Sequence, residues 1–468
     1  MAELQSGIFS QADFLLAPEH LMLKSGCEGD QAVAVRGGVI SDLGSRDDVC
    51  ARNKDLPAQD LPGHVVMPGF IDAHHHLTQS FGKSLAFGEP SEIFRRIWVP
   101  LEASLDGGGV YLSSKLAALE ALRGGFTTVV DAGTRSEADV ASVARATKEA
   151  GLRCVLGFIC NDIGPAGGGR VRKTILQAAE AHLARWKSDG LVHPSLAISI
   201  PEVATDETLH AVSQLAAEAG AIFQPHVNEH LVAVERSLVE RRLRPLEHLA
   251  AAKALGPQTL IAHSTLVTPP ELMLLARTDT AVAYNPVAST WKGNAVAPAE
   301  MMAELGIRFG IGTDGTRSDA FRMIEAAETL QRIAFGIGVG DFSTGGGWVW
   351  LDHATRGAAD AVGLKSVTGE IAVGKAADLL IVDTDIPEFS PSWDLDWELV
   401  RFGNRDQIVA VIVAGKLRLW RGWPVDWDAR ALLAEVNAMA GGAVARAPIQ
   451  RIHPTSREHR AQRNGASE

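Results

Sequence analysis

An alternation of apolar segments with helical segments constrains the fold of this chain more than any other feature of its sequence. Eight short segments are apolar along nearly their whole length, and each is followed by a segment with helical spacing; the first begins at Val65 and the last ends at Asp314. The other seven lie at 124–133, 152–160, 195–200, 221–227, 259–264, 281–286 and 307–314. Buried parallel strands have this continuous apolar character. Eight of them, each followed by a helix, predict an α/β fold, the (β/α)₈ TIM barrel.

The segments on both sides of the barrel region have β character. Short β patterns occupy residues 13–64, with Gly37-Gly38 as a tight turn, and β-like runs return at 369–383 and 407–422. We therefore predict that residues 1–64 and 365–425 form one small, discontinuous β-sandwich domain into which the barrel, 65–364, is inserted. Residues 426–468 are predicted to form a C-terminal helix and a polar, locally basic tail, which is either mobile or a subunit contact.

Composition and charge exclude several classes of partner. The chain is 46% hydrophobic and 21% charged, as in ordinary globular proteins. A net charge of −12, with no Lys/Arg-rich run in the folded part, argues against binding nucleic acid or an anionic membrane surface. Four scattered cysteines without CxxC spacing argue against a disulfide framework or a thiolate zinc site. Because the sequence shows neither a signal-peptide pattern nor about 18 consecutive apolar residues, we expect a cytoplasmic protein.

The first apolar segment ends in the sequence VMPGFIDAHHHL, residues 66–77. Side chains in a strand alternate between faces, so His74 and His76 share one face and His75 points to the other. Two imidazoles on one face can hold a single cation. The alternative is a histidine cluster on a solvated loop, and the apolar strand before the histidines favours the metal site.

Three other predicted strands also end in residues that can bind metal or transfer protons. Strand five ends at His226, with Glu229 three residues later; strand six ends at His263, and strand eight ends at Asp314. A single histidine of this kind is often a hydrogen-bonded core residue, and an aspartate can cap the next helix. In a barrel, however, all these strand ends meet at one rim, where the active site lies. The combination therefore predicts one shared site.

The segments PGFIDAHHH, HVNE, IAHS, GTDG and GKAADLLIVD together resemble the metal-dependent amidohydrolase superfamily, in the branch of cytosine and guanine deaminases and triazine chlorohydrolases. The resemblance extends from about residue 13 to residue 423. It implies one divalent metal ion, with zinc as the favoured candidate and iron as the alternative, although ligand type alone does not separate them. It also implies that Glu229 is the proton shuttle and that His263 orients the attacking water or the polarised atom of the substrate. The implied metal ligands are His74, His76, His226 and Asp314.

Elementary chemistry is consistent with this ligand set. Three imidazoles and a carboxylate leave a position open for water, and bound Zn²⁺ lowers the pKa of that water to about 7. Asp314 can accept its proton and Glu229 can carry that proton to the departing group. We therefore expect metal-activated water to attack an sp² carbon and to deaminate a nitrogen heterocycle such as a pyrimidine, purine, pterin or triazine.

Two other functions remain as alternatives. The same site could hydrolyse an amide, a urea, a carbamate or a chloro-substituted ring. A non-enzymatic scaffold would be marked by a missing ligand or a missing Glu229, and neither is missing. Large barrels of this kind are commonly dimers or larger, so we expect a homo-oligomer that acts on a small molecule.

The number of metal ions and the substrate contacts are less constrained. Strand four ends in ISIPEVATD, without the lysine whose carbamate would bridge two metals, so a mononuclear site is favoured. Glu202 in that segment could bridge a second metal, contact the substrate or bind water at the rim. Strand seven continues as AYNPVASTWKG, which departs from the histidine and Pro-x-Ser-Asn pattern of the branch. The candidate substrate-binding residues are Gln79, Trp98, Glu202, Tyr284, Asn285 and Trp291, with Phe87 and Arg96 as further candidates from the loop after strand one; Tyr284 and Trp291 would form an aromatic wall or belong to the core.

Overall fold

Two β-sheets organise the chain. The structure is a computed structural model, and it describes residues 13–89, 92–164, 169–340 and 346–465. The two ends of the chain, 1–12 and 466–468, which the sequence analysis assigned to the small domain and the tail, lie outside the described residues.

The N-terminal segment contributes five strands and one helix. The strands are β1 (Phe14–Leu23), β2 (Gly26–Gly29), β3 (Gln31–Arg36), β4 (Val39–Ser45) and β5 (Ala58–Pro68), and helix α1 (Arg46–Arg52) precedes β5. Alternate residues of β1 belong to different buried clusters, with Phe14 on one face of the sheet and Leu15 on the other. The predicted turn at Gly37-Gly38 joins β3 to β4, and both glycines have the positive φ that such a turn needs.

The predicted barrel is confirmed. Its strands are β6 (Phe70–His75), β7 (Phe126–Asp131), β8 (Arg153–Ile159), β9 (Val192–Ile198), β10 (Phe223–Val227), β11 (Leu260–His263), β12 (Ala281–Tyr284) and β13 (Phe309–Ile311). Within the described residues these eight strands pair in chain order, and all the pairs are parallel. Because His226 pairs with Ala262 and Val227 with His263, the C-terminal ends of β10 and β11 lie level.

Helices follow the strands, as the spacing of apolar residues predicts. They are α2 (Val99–Ala103), α3 (Gly107–Arg123), α4 (Ala141–Ala150), α5 (Arg172–Trp186), α6 (Asp206–Glu218), α7 (Leu231–Arg241), α8 (Pro245–Ala251), α9 (Pro269–Thr278), α10 (Pro286–Lys292), α11 (Ala299–Glu304), α12 (Ala320–Val339), α13 (Gly347–Ala354) and α14 (Arg356–Ala361). Alanines of α14 share a buried cluster with Leu260 and Ala281, the first residues of β11 and β12. Helix α14 therefore packs against the starts of the barrel strands and leaves the opposite rim for the site.

The C-terminal segment returns to the first sheet, so the expected discontinuous β domain is confirmed. Its elements are β14 (Leu379–Asp383), α15 (Leu395–Arg401), β15 (Ile408–Val413), β16 (Lys416–Trp420) and β17 (Trp423–Pro424). Strand β14 pairs with β5, with Ile381 opposite Val66. The apolar run that starts at Val65 is thus divided between the two sheets at Gly69. Glycine is needed at this position because a Cβ would lie only 2.1 Å from the Thr127 side chain.

The last part of the chain contacts the long connection between β6 and α3. This connection contains a 3₁₀ helix at Leu77–Ala86 and a π-helical turn at Phe94–Trp98, and the chain ends in α16 (Ala429–Arg446) and α17 (Ser456–Gly465). Between α16 and α17, the amides of Ile452 and His453 donate to the buried carboxylate of Glu89 at 3.1 and 3.2 Å. These hydrogen bonds lie within one chain, so the mobility or subunit contact expected of the tail stays a prediction.

Candidate metal centre

The structure brings the four predicted metal ligands together at the C-terminal rim of the barrel. His74 and His76 lie at the end of β6, His226 lies in β10 and Asp314 follows β13. All four side chains are buried. One ligand atom from each lies within 4.8 Å of the others, which is close enough for a single cation to contact all four.

The distances show donor atoms facing one another. Asp314 Oδ1 is 3.2 Å from His76 Nε2 and 3.4 Å from His74 Nε2, and His226 Nε2 is 3.2 Å from His76 Nε2. His74 Nε2 is buried without a hydrogen-bond partner. Buried imidazole nitrogens are normally hydrogen-bonded or bound to metal. The donor set therefore fits a divalent cation, which three nitrogens and one carboxylate oxygen could hold.

Local backbone geometry aims Asp314 at the histidines. Its amide donates to the carbonyl of His74 at 2.9 Å, which links the eighth strand to the first. Asp314 has φ 57°, and His263 at the end of β11 has φ 78°, so both lie in the left-handed region that non-glycine residues rarely adopt. Such conformations are concentrated at functional sites, where the surrounding structure maintains them.

The middle histidine of the HHH motif points away from the other two, as the strand alternation predicts. His75 Nδ1 lies 3.0 Å from Asp72 Oδ2 and 3.1 Å from Thr313 Oγ1. These three side chains are buried. His75 therefore belongs to a hydrogen-bonded cluster beneath the site.

Glu229 and His263 lie beside the ligand set. Ligand atoms of Glu229, His263 and Asp314 lie within 4.8 Å of one another, and His263 Nε2 is 3.6 Å from Glu229 Oε2. Asn285 Nδ2 lies 3.2 Å from His263 Nδ1, on the opposite side of the ring. Asn285 is thus placed to orient the His263 ring. It was predicted to contact substrate, and the structure places it behind His263.

Lys292 is a site residue that the sequence analysis missed. Its Nζ donates to Glu229 Oε1 at 2.7 Å and to Asp314 Oδ2 at 2.6 Å, and its side chain is largely buried. His230 is a second missed neighbour, with Nε2 3.1 Å from Glu229 Oε1. The available signal was a lysine directly after Trp291 in the segment that follows β12, at the same rim as the histidines.

Burial and neighbouring charge set the protonation states. Burial lowers the pKa of His76 to about 4 and that of His263 to about 3, so both rings are neutral near pH 7, the form that binds metal. Burial alone would raise the pKa of Glu229, but the neighbouring His263 ring and Lys292 ammonium outweigh it and hold that pKa well below its usual range. Burial would also raise the pKa of Asp314, but its neighbours, chiefly the Lys292 ammonium, hold that pKa well below its usual range. Both carboxyl groups are therefore ionised.

A cavity of about 310 Å³ opens beside Asp314 and Lys292. Ligand pockets commonly have this size and an aromatic lining. The Phe87 and Trp291 rings meet edge to face, with centroids 4.9 Å apart, and both are partly exposed at 52% and 40%. The predicted residues that line the cavity are Gln79, Phe87, Trp98 and Trp291.

Three other candidate residues do not line this cavity. Tyr284 is fully buried, and its hydroxyl group donates to the carbonyl of Ala327 and accepts a hydrogen bond from Gln331. It therefore packs against α12 and belongs to the core, which was one of the two alternatives given for it. Arg96 is bound to Glu89 and to the carbonyl of Gln450. Glu202, in a 3₁₀ turn after β9, is partly buried and its Oε1 has no hydrogen-bond partner.

None of the helices in the described parts of the chain is both long and apolar enough to cross a membrane.

Comparisons with known proteins identify the family of this chain. Two curated relatives are 5-methylthioadenosine/S-adenosylhomocysteine deaminases. The protein from Syntrophobacter fumaroxidans is 29% identical over 391 residues, covering 82% of this chain and 87% of the relative. The protein from Moorella thermoacetica is 31% identical over 376 residues, covering 80% and 86%.

Two zinc-containing crystal structures have the same fold. An adenosine deaminase from Xanthomonas campestris with bound zinc has a TM-score of 0.84 at 25% identity and covers 92% of this chain and 98% of its own. An atrazine chlorohydrolase from Arthrobacter aurescens complexed with zinc has a TM-score of 0.81 at 19% identity, covering 91% and 100%, and at that identity it supports the fold alone. The model of the amidohydrolase family matches residues 65–418. The chain therefore belongs to the amidohydrolase family.

Proposed function

We propose that this amidohydrolase removes the amino group from the purine ring of an adenosine-type nucleoside and that its metal ion is zinc. Relatives named as deaminases of 5-methylthioadenosine, S-adenosylhomocysteine and 5′-deoxyadenosine support the substrate class. The adenosine deaminase structure with bound zinc supports the metal. The reaction replaces a ring amino group by a carbonyl oxygen from water and releases ammonia.

The observation that carries the proposal is the meeting of two groups of side chains around Asp314. His74, His76, His226 and Asp314 form one ligand set, and Glu229 and His263 form a second group with the same Asp314 carboxylate. The four ligands would hold the cation, which when bound polarises water and lowers its pKa to about 7.

The remaining residues would move protons and orient groups. Hydrolytic deamination moves both protons of the attacking water: one goes to the ring nitrogen beside the attacked carbon, and the other passes to the departing amine. Glu229 is ionised and can accept this proton at a carboxylate oxygen and deliver it to the leaving nitrogen. The lowered pKa of His263 leaves its ring neutral. Because Asn285 contacts Nδ1 of this ring, the other nitrogen, Nε2, is free to interact with the attacking water or the substrate. Asp314 can accept a hydrogen bond from the attacking water.

The aromatic cavity would hold the small-molecule substrate. Phe87, Trp98 and Trp291 line a space of about 310 Å³ that reaches Asp314. Flat heteroaromatic rings stack well against such side chains. This geometry favours a planar ring over a flexible amide or urea.

Ammonia release tests this function. The zinc-loaded protein is assayed with adenosine, 5′-deoxyadenosine, 5′-methylthioadenosine and S-adenosylhomocysteine, with guanine, cytosine, an aminotriazine and a chlorotriazine for comparison. We expect ammonia from at least one adenosine derivative and little from the other rings. Amine release from ureas or amides, with no ammonia from any amino-substituted ring, would contradict the proposal.

We also propose that the protein is a cytoplasmic homo-oligomer. Its four cysteines are free thiols, as in proteins of reducing compartments. Large apolar side chains such as Ile337 and Trp393 are highly exposed, at 84% and 88%. Exposed apolar surface of this kind marks contact sites. Light scattering during gel filtration distinguishes a dimer or larger assembly from a monomer.

A further inference from the structure

The two carboxylate oxygens of Asp314 face two different positions. Oδ1 lies 3.4 Å from His74 Nε2 and 3.2 Å from His76 Nε2, so it belongs to the proposed metal position. Oδ2 accepts a hydrogen bond from Lys292 Nζ at 2.6 Å. A carboxylate that serves two neighbouring positions in this way can bridge two cations.

The second position combines two further residues with the shared Asp314. Glu229, His263 and Asp314 place ligand atoms within 4.8 Å of one another. His263 Nε2 is buried without a hydrogen-bond partner, and Asn285 at the other ring nitrogen fixes it in place. Two carboxylates and an imidazole are a donor set for a divalent cation, and paired metal sites in hydrolases lie about 3.5–4 Å apart.

Lys292 places a positive charge in this second position. Its Nζ lies 2.7 Å from Glu229 Oε1 and 2.6 Å from Asp314 Oδ2, so both carboxylates already have a cationic partner. The lysine ends α10, and Gly293 with φ 65° turns the chain away immediately afterwards. A divalent ion bound here would lie next to the ammonium in a poorly solvated site, where like charges repel strongly.

We infer that the Lys292 ammonium takes the place of a second metal ion and keeps the centre mononuclear. The lysine acts as a positioning residue, because it holds Glu229 and Asp314 in their relative orientation without ligating the metal. The inference rests on the proposed metal-dependent function, and it extends that function by assigning the residue that sets the number of ions.

Metal content after replacement of Lys292 tests this inference. Wild-type, Lys292→Met, Lys292→Arg and Lys292→Met/Glu229→Gln proteins are stripped with a chelator, reloaded with excess Zn²⁺, desalted and analysed by mass spectrometry of the metal. The methionine has a similar length without the charge, and the arginine keeps the charge. We expect one zinc per chain in the wild-type and Lys292→Arg proteins, two in Lys292→Met and one in the double variant.

A second readout detects the metal pair directly. Lys292→Met loaded with Mn²⁺ should give the electron paramagnetic resonance spectrum of two exchange-coupled ions, whereas the wild-type protein should give that of isolated ions. A folded Lys292→Met protein that binds one ion under all these conditions overturns the inference. A wild-type protein that binds no ion refutes the proposed metal-dependent function instead.

If Lys292→Met does not fold, as judged by circular dichroism, the wild-type crystal structure with excess Zn²⁺ decides. We expect one anomalous peak, with Lys292 Nζ within hydrogen-bond distance of both carboxylates. Two peaks, or a Lys292 side chain turned out of the site, overturn the inference.

Discussion

Asp72 Oδ1 accepts a hydrogen bond from the backbone amide of Thr313 at 2.9 Å, although 241 residues separate them in sequence. The same carboxylate accepts a hydrogen bond from the amide of His74 and contacts the His75 ring. Asp72 therefore joins the first barrel strand to the eighth, directly beneath His74 and Asp314. The relative position of these two proposed metal ligands depends on this buried carboxylate.

Replacing Asp72 by Asn should lower both stability and metal affinity. The amide can keep one acceptor, but its NH₂ group replaces the acceptor that faces Thr313 Oγ1 and His75. Hydrogen bonds to charged groups contribute about 1.5–3 kcal/mol, and we expect a loss of this size in the free energy of unfolding of the metal-free protein. Replacing a residue that is hydrogen-bonded to a metal ligand commonly weakens metal affinity by about 10- to 100-fold. Urea unfolding and zinc competition with a chelator measure the two effects.

A double-mutant cycle that combines Asp72→Asn with Thr313→Val shows whether the Asp72 carboxylate and the Thr313 hydroxyl group stabilise the fold through the same contact. The valine removes the hydroxyl group and keeps the amide. We expect the double variant to be less destabilised than the sum of the single variants, because both remove the same contact. Strict additivity would mean that the Asp72 carboxylate and the Thr313 hydroxyl group do not depend on each other.

Glu229→Gln should lower kcat strongly and leave metal binding intact. The amide keeps the shape of the side chain but cannot carry a proton, and proton transfer by a positioned group is commonly worth about 10²- to 10⁴-fold in rate. The measurement is kcat for ammonia release, together with zinc content. Glu235→Gln, at an exposed position of α7, is the matched control. Full activity of Glu229→Gln would remove Glu229 from the mechanism.

The barrel could be predicted because each strand carries its own apolar signal and the order of strands follows from chain order. The convergence of His226 and Asp314 on the HHH motif follows from that topology and needs no detail of side-chain packing. The role of Lys292 could not be predicted, since it depends on how the end of α10 lies relative to Glu229 and Asp314. The burial of Tyr284 depends on the packing of α12 against β12, which the sequence around Tyr284 does not indicate.

Loosening the contact between Glu89 and the C-terminal segment should weaken substrate binding. Glu89 is buried, pairs with Arg96 at 2.8 Å and accepts the amides of Ile452 and His453. These contacts fix the connection that also carries Phe87 and Trp98. Loss of one hydrogen bond to a charged group corresponds to roughly a tenfold change in an equilibrium constant. We therefore expect KM to rise roughly tenfold with little change in kcat.

Glu89→Gln and a chain that ends at Ile449 should both raise KM with little change in kcat. The control is Glu388→Gln, at an exposed position. Limited proteolysis provides a separate readout, because cleavage between β6 and α3 should become faster in both variants. Unchanged KM and unchanged cleavage would show that the C-terminal segment does not hold this connection in place.

Stability should fall as the pH falls from about 6.5 towards 4. Burial lowers the pKa of His182 to about 4, so the folded chain binds its proton less readily than the unfolded chain, whose histidine pKa is about 6.5. Its contribution is present above about pH 6.5 and is lost as the pH falls through that window, by on the order of 3 kcal/mol. Urea unfolding of His182→Asn should show a lower stability at pH 7 and a smaller loss on acidification. His459→Asn, at an exposed position, should behave as the wild-type protein.

The central claim is that one metal ion, held by His74, His76, His226 and Asp314, supports deamination of an adenosine-type ring. The most direct measurement is ammonia release from the adenosine panel by a single preparation before chelation, after chelation and after titration with Zn²⁺. We expect activity to disappear on chelation and to return in proportion to zinc, with the endpoint at one ion per chain. Deamination that persists in the chelated, metal-free protein would contradict the claim.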